Sequence, residues 1–586
     1  MGRMESVKMR KILRGSTYAL LSLAIAGCGP YDDPIAPFHP RDLQEDERAA
    51  SVGAPLRPER RLPTTLETDF PIDAAATRPN SDGPPAATGP AIGSTEPVVR
   101  LSLRELVQRA TANNLDVRVA GYAPAIEQTR VTEAEARFDP VFFTGVQFGN
   151  NYTLSPSQEN PFFGATGTQV TRFRSVGAQV GLRQDLESGG RVELRYEPAW
   201  AEQTNSAFDP NPWYTSDLVL QVTQPLLRDF GADVNRARIV INRNNQRISL
   251  LDFRQTLEEN IANLERAYWQ LVQALREVRI AEELLDRTLS TANILWKRRR
   301  QDVGRQQLSQ ANASLETRRT ILIRARARVR DLSDQIKRLM SDPEFPVAGQ
   351  TLILPADEPL TDQIRFDLED QIATAMEFRH ELGQQQIRVD SAGVAADVAR
   401  NNLLPQLNLV GSVGVQGLGE DLFYAAEDQS EFNYIDYAIG LQLEIPIGNR
   451  AARAIWRRAQ LQRSQAIDQY RALVDQVSLD VKVAMREVET TWEESISSTR
   501  ARFAAADALA AIEERERANE QLTPEFVNRK LDLQAQLAQQ QSREAEALSN
   551  YMNALAALER AKGTLLRYNN IVMEESPLEQ QTASTR

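Results

Sequence analysis

Few side chains in this 586-residue sequence have the types and spacing for bond-making chemistry. There is one thiol, Cys28, and there are two imidazoles, His39 and His380, among 80 carboxylates and 68 Lys or Arg. His39 sits in a proline-rich stretch and His380 in a helical pattern, so neither a His-based triad nor a cysteine metal cluster can be assembled. The carboxylates interleave with arginine at helical spacing, as solvated faces do. No glycine-rich phosphate loop precedes a helix. An enzyme is poorly supported, and no cofactor or metal is expected. The formal net charge of −12 argues against a polyanion partner, so no nucleic acid is expected either. Polar groups stand out at two places only. Lys297, Arg298, Arg299 and Arg300 run just ahead of a turn, and Asp436, Gln442 and Glu444 lie on the polar positions of a strand pattern.

The second of these groups is positioned by the stretch from Tyr434 to Ala518. Ile435, Tyr437, Ile439, Leu441, Leu443 and Ile445 fall on alternate positions, giving a strand with one apolar and one polar face. After Gly448 the spacing changes to three and four (Ile467, Tyr470, Val474, Val477, Val481, Ala484, Val488), the seam of a helix that packs on helices. About seventy residues at 1.5 Å each make it roughly 100 Å long, so it extends away from the sheet that holds the strand.

At the amino terminus Lys8, Arg10, Lys11 and Arg14 precede the short apolar run Tyr18 to Ile25, the pattern of a secretion signal over residues 1–27. The end of that run, Leu23-Ala24-Ile25-Ala26-Gly27-Cys28, resembles a bacterial lipobox, which implies cleavage before Cys28 and acylation of its thiol, as with palmitate; the alternative is an ordinary signal peptide followed by a free thiol. Gly29 follows the cysteine, and nothing there argues for inner-membrane retention. Thirteen of the 29 prolines lie between residues 29 and 98, so 28–98 reads as a disordered tether. Beyond the first thirty residues no apolar run approaches the ~20 residues of a membrane helix, so any membrane crossing is made by strands.

From residue 99 one plan runs twice, over 99–340 and 361–570, joined by a linker at 341–360 and followed by a tail at 571–586. Each half opens with a helix (101–138 and 361–404) closed by Pro140 or Pro405, where a strand begins. Each returns through a strand ending at Pro225 or Pro446 and feeds a long helix, 232–301 and 449–518. Shorter helices follow, 308–340 and 524–567. Repetition at this scale points to an internal duplication.

Over nearly the whole span from Leu101 to about Arg567 this plan resembles the TolC family of outer-membrane efflux proteins. The likeness rests on the duplicated order, the corners at Pro140, Pro405, Pro225 and Pro446, and the turn segments Val303-Gly304 with Leu308-Ser309 and Leu522-Thr523. It implies an α+β membrane protein: a homotrimer whose strands share one transmembrane β-barrel, above a long α-helical periplasmic barrel. It also implies a passive exit duct of a tripartite export system. A periplasmic adaptor would meet Val303, Gly304, Leu308, Ser309, Leu522 and Thr523, and an inner-membrane pump of RND or ABC type would supply energy. Gly304 would reverse the chain at the tip. The second turn departs from the family: Ala518 stands where a Gly is expected and Pro524 follows Thr523, so the family's acidic constriction is not carried over, and Glu525 is a weak substitute. Lys297 to Arg300 read either as a solvated helix end or as a gate pairing with acidic groups. Asp436, Gln442 and Glu444 are candidates for the pore lining.

A few strands from one chain leave open edges, which lipid does not tolerate, so the sheet is expected to close with other copies. One feature exceeds the family plan of two strands per half. Val176 to Leu186 and Val192 to Tyr196 alternate about a Ser188-Gly189-Gly190 turn. This hairpin either widens the barrel or, as the favoured expectation, projects beyond the membrane as a β-ribbon. Drug or metal efflux and type I protein secretion both fit such a duct. The rival from another class is a non-conducting periplasmic coiled-coil scaffold.

Overall fold

The computed structural model describes residues 97–156, 168–204, 209–300, 303–517 and 523–571, all within the unit His39–Arg586. The expected signal segment, Cys28, the tether as far as residue 96, Leu522 and the tail beyond Ile571 lie outside the described residues.

The opening helix expected over 101–138 is in fact broken. Strand β1 (Val98–Leu101) is followed by α1 (Leu103–Asn113), α2 (Leu115–Glu135) and one 3-10 turn, Ala136–Phe138. Ser102 starts α1 with a reciprocal cap shared with Glu105. Asn114 makes the break: its Oδ1 accepts from Asp116 N and Val117 N at 2.7 and 3.1 Å, which starts α2, and its Nδ2 donates to Leu339 O at 2.6 Å.

Four strands come next: β2 (Val141–Pro156), β3 (Thr168–Asp185), β4 (Arg191–Gln203) and β5 (Trp213–Pro225). A single turn, α3 (Ala232–Asn235), leads into α4 (Ala237–Arg298) and α5 (Arg305–Met340). The linker then contains β6 (Leu352–Pro355), which pairs in parallel with β1, so residues 341–360 fasten the start of the first half.

The second half repeats these lengths. Helix α6 (Leu368–Phe378) has 11 residues, as α1 has, and α7 (His380–Asn401) has 22 against 21 in α2. The helix expected over 361–404 is thus also broken, at an extended Arg379 whose guanidinium donates to Ala561 O at 2.9 Å and to Asp480 at 3.1 Å. Strand β7 (Gln406–Gly419), a short helix α8 (Leu422–Ser430) that the sequence pattern does not announce, and β8 (Tyr434–Glu444) follow. The chain then runs through α9 (Arg450–Arg517), α10 (Pro524–Lys562) and α11 (Leu565–Tyr568). Gly563 ends α10 at φ +73, and a Cβ there would come within 2.7 Å of Phe378 O, so this glycine lets the end of α10 close on the α6–α7 break.

The six long strands form one antiparallel sheet in the order β2-β3-β4-β5-β7-β8. This corrects the favoured expectation for the hairpin. It does not project beyond the sheet: β3 pairs with β2 from Val141↔Arg183 to Pro156↔Thr168, and β4 with β5 from Arg191↔Thr223 to Ala201↔Trp213. Its turn is seated on the strand-to-helix corner. Gly231 N and Gln224 Nε2 each donate to Ser188 O at 3.1 Å, and Gly189, at φ +89, has no room for a Cβ, which would lie 2.1 Å from Asp229 O.

The main core lies where the helices of both halves meet. Ile261, Leu264, Tyr268 and Leu271 of α4 pack with Ile336 and Met340 of α5, Val477 and Val481 of α9, and Tyr551 and Leu558 of α10. Tyr268 is fully buried; its hydroxyl bonds Asp357 Oδ2 at 2.8 Å while Leu103 N donates to the same oxygen at 2.7 Å, which ties α4, the linker and α1. One turn away Glu265 is 1% exposed and accepts from Asn569 Nδ2 at 2.7 Å. Burial pushes its carboxyl up to about 7. Because the folded protein then holds a proton that the unfolded chain releases near its ordinary 4.5, stability falls as pH rises between those two values. Glu265→Gln should flatten that slope and leave the protein about 3 kcal/mol more stable than wild type above pH 7, as read from thermal loss of the helical circular dichroism signal.

Candidate functional site

Pairing across the sheet assigns every strand residue to one of two faces. Phe142, Val146 and Phe148 of β2 share a face with Val176, Val180 and Leu182 of β3 and with Leu194, Tyr196 and Trp200 of β4. That face continues through Leu218, Leu220 and Val222 of β5 and Leu409, Val413 and Val415 of β7 to Ile435, Tyr437, Ile439 and Leu441 of β8. Tyr437 and Ile439 are each 81% exposed. An apolar, solvent-facing surface therefore crosses all six strands without interruption. Near its top edge α8 lies on it: Ser216 Oγ bonds Gln429 Oε1 at 2.7 Å, and Ala425 sits so close over Gly417 that no Cβ fits there.

The other face is polar. Asp436, Gln442 and Glu444 all lie on it, paired with Gly414, Asn408 and Gln406, and Gln416 donates to Asp436. Alternation placed these three correctly on one face. It missed a larger group, since the hairpin contributes Arg183, Asp185, Arg191, Glu193, Arg195 and Glu197 to the same side. Arg191 meets Asp185 at 2.7 Å, and Arg195 meets Glu193 and Glu197 at 3.3 and 3.0 Å. The signal was present in the polar positions between Val192, Leu194 and Tyr196.

No family model matches the chain, and no curated protein matches it. Its structure is similar to the CmeC outer membrane channel of Campylobacter jejuni, at 15% identity and a TM-score of 0.57, over 87% of this chain and 98% of that one. It is also similar to the outer membrane protein VceC of Vibrio cholerae (15%, 0.55, over 79% and 96%) and to the open MtrE outer membrane channel of Neisseria gonorrhoeae (16%, 0.54, over 79% and 89%). The chain has the TolC-like fold.

In this TolC-like fold the far ends of the helices form the second candidate site. Leu295, Val303, Ala311, Leu509, Ile512, Phe526 and Val527 make an apolar cluster that joins the α4–α5 turn to the α9–α10 hairpin, with Leu308 packed against it. Val303, 7% exposed, is therefore spent on packing, whereas Gly304, Ser309, Thr523 and Glu525 are exposed. Gly304 has φ −84, an ordinary backbone value, and stands immediately before α5 at the α4–α5 turn. Its amide donates to Gln307 Oε1 at 2.8 Å. Thr523 caps α10 by accepting from Phe526 N at 3.3 Å, with Pro524 in the first turn, where proline costs no hydrogen bond.

The basic run is spread over the end of α4. Arg299 stacks on Trp296, 3.7 Å from the ring centroid, and donates to Trp296 O at 2.9 Å. Among the described residues Lys297, Arg299, Arg300 and Glu525 make no ion pair. The polar ties that do cross between the hairpins lie higher and were not visible in the sequence. Arg318 of α5 is buried; it donates to Thr288 Oγ, to Gln534 Oε1 at 3.1 Å and to Leu531 O at 2.8 Å, and Gln534 reaches Thr291 at 3.3 Å. Burial lowers the guanidinium from its ordinary value, with Asp532 opposing. Lys530 pairs with Glu516 at 2.5 Å, both largely buried. Replacing Arg318 with Leu should strand its partners at a cost of about 3 kcal/mol. Hydrogen exchange should then accelerate around 288–291 and 527–537 and stay unchanged in the sheet; equal protection in both would remove Arg318 as the tie.

Proposed function

We propose that the chain is the outer-membrane exit duct of a tripartite export system, working as a homotrimer. The observation that carries this is the two-faced sheet: an exposed apolar surface across six strands, backed by a polar one, standing on helices of 62 and 68 residues. Set in lipid, the apolar face needs no further cover and the polar face lines water. The eleven residues of β8 span about 33 Å along the strand, or about 25 Å across a bilayer at a tilt of about 40°. No helix among the described residues is long and apolar enough to cross a membrane, and the strands need none.

The helices support assembly. Leu115, Val119, Tyr122 and Ile126 on α2 recur at four, three and four residues and are exposed, as are Leu461, Leu479 and Val483 on α9. These are coiled-coil seams without a partner in one chain. Three copies would close both the barrel and the periplasmic helical wall, and the matched lengths of α1 with α6 and α2 with α7 support an internal duplication. In this reading Cys28 carries the lipid anchor in the outer membrane and Asp436, Gln442 and Glu444 face the pore. The tip (Gly304, Leu308, Ser309, Leu522, Thr523), with Val303 packed beneath it, receives a periplasmic adaptor bound to an inner-membrane pump. Lys297 to Arg300 and Glu525 then find gate partners on neighbouring chains. Exposed pairs of that kind contribute about 0–1 kcal/mol each, so several would hold a rest state that adaptor docking can still open. Transport itself is passive.

The test is single-channel conductance of detergent-extracted protein in a planar bilayer, with the oligomer mass measured on the same sample. A trimer giving discrete steps is expected, with larger or more frequent steps after Arg318→Leu loosens the tip. A protein that never conducts, with the tip intact or loosened, would overturn the duct and leave a scaffold.

A further inference from the structure

The sheet and the helices beneath it do not match in number. Four strand-to-helix junctions carry the sheet: α2 and its 3-10 turn lead into β2, β5 into α3 and α4, α7 into β7, and β8 into α9. Strands β3 and β4 have no helix of their own. They enter the sheet between β2 and β5, β3 pairing with β2 and β4, and β4 with β3 and β5. Their turn rests on the β5–α3 corner through Ser188 and Gly189. The two edges left open, β2 and β8, run in opposite directions, and both present the same apolar face outward. One copy's β8 can therefore pair with the next copy's β2 without changing the antiparallel order or the face. The second half of the chain, with the same helices, supplies only two strands.

We propose that β3 and β4 are part of the pore wall, so that three chains of six strands close an eighteen-stranded barrel whose mouth is wider than its helical supports require. This inference rests on the trimeric duct argued above. Strands about 4.8 Å apart and tilted by about 40° set the backbone of eighteen strands on a circle about 36 Å across, against about 24 Å for the twelve that four junctions per chain account for. With about 5 Å of side chain on each wall, the clear width is about 26 Å against about 14 Å. The hairpin also brings most of the wall's charge, much of it in ion contact: Asp185 with Arg191, and Arg195 between Glu193 and Glu197. The same face also carries Arg183 and the carboxylates Asp217, Asp436 and Glu444, so the wall is net acidic. It admits solutes up to about 20 Å across as far as the helical region.

The test places a cysteine at Gln442, on the polar face near the lower end of β8, in full-length protein held in detergent. The protein is exposed to maleimides carrying neutral polymers of increasing size, and its mass is measured first. A trimer in which a polymer about 20 Å across modifies Gln442→Cys supports the proposal. Excising residues 157–212, which joins β2 directly to β5, should then exclude that polymer while a small maleimide still reacts. A trimer that admits the small reagent but excludes the large one with the hairpin present overturns the wide wall, whether or not the excised chain folds. A copy number other than three overturns the assembly on which the proposal rests, and the mass identifies that failure separately.

Discussion

The proposed duct depends on one constraint: a sheet that is apolar on one face and open at both edges is poorly suited to water. Ile439 and Tyr437 stand almost as free as they would on an unfolded chain, and the backbone groups along the outer sides of β2 and β8 have no ladder partner. In a soluble protein such a sheet would be buried or its edges blunted by charge, proline or bulges. Here β8 pairs without proline or bulge, and its apolar face stays exposed although Asp436 and Glu444 stand on the other face. A hydrocarbon surround for the face and copies of the same chain for the edges satisfy both demands together.

The helices answer a different demand. Each must leave the sheet at a fixed corner and run far from it, which is why Pro140, Pro225, Pro405 and Pro446 sit where period two gives way to period 3.6. Over such lengths, seams of small and medium apolar residues hold the helices in register. The buried polar knots, Tyr268 with Asp357 in the middle and Arg318 with Thr288 and Gln534 towards the tip, fix that register at two heights. Between these knots apolar seams are joined by ion pairs such as Arg326 with Glu282 at 2.8 Å and Arg502 with Glu544 at 2.6 Å.

Much of this was legible in the sequence because it is written in periodicity. Alternation in 434–445 and in 192–196 located strands and faces, and the spacing of Val474, Val477 and Val481 located a long helix. What periodicity does not encode was missed. At Asn114 the cap on Asp116 N and Val117 N is a local signal that was passed over, whereas its bond to Leu339 O and those of Arg379 to Ala561 O and Asp480 span 225, 182 and 101 positions and leave no local mark. The placement of the hairpin in the sheet depends on which strands pair, and alternation is silent on partners. At the tip, apolar Val303 was read as a contact surface, although its distance from Phe526 in sequence concealed the cluster they share.

The central claim is that the two faces of this sheet meet two different solvents. It is tested most directly by single cysteines at each position from Tyr434 to Glu444, labelled with an environment-sensitive fluorophore in lipid bilayers and exposed to lipid-borne and aqueous quenchers. The account predicts strict alternation: positions 435, 437, 439, 441 and 443 quenched from the lipid, and 434, 436, 438, 440, 442 and 444 quenched from water. Uniform aqueous quenching along the strand would contradict it, and the sheet would then stand outside the membrane.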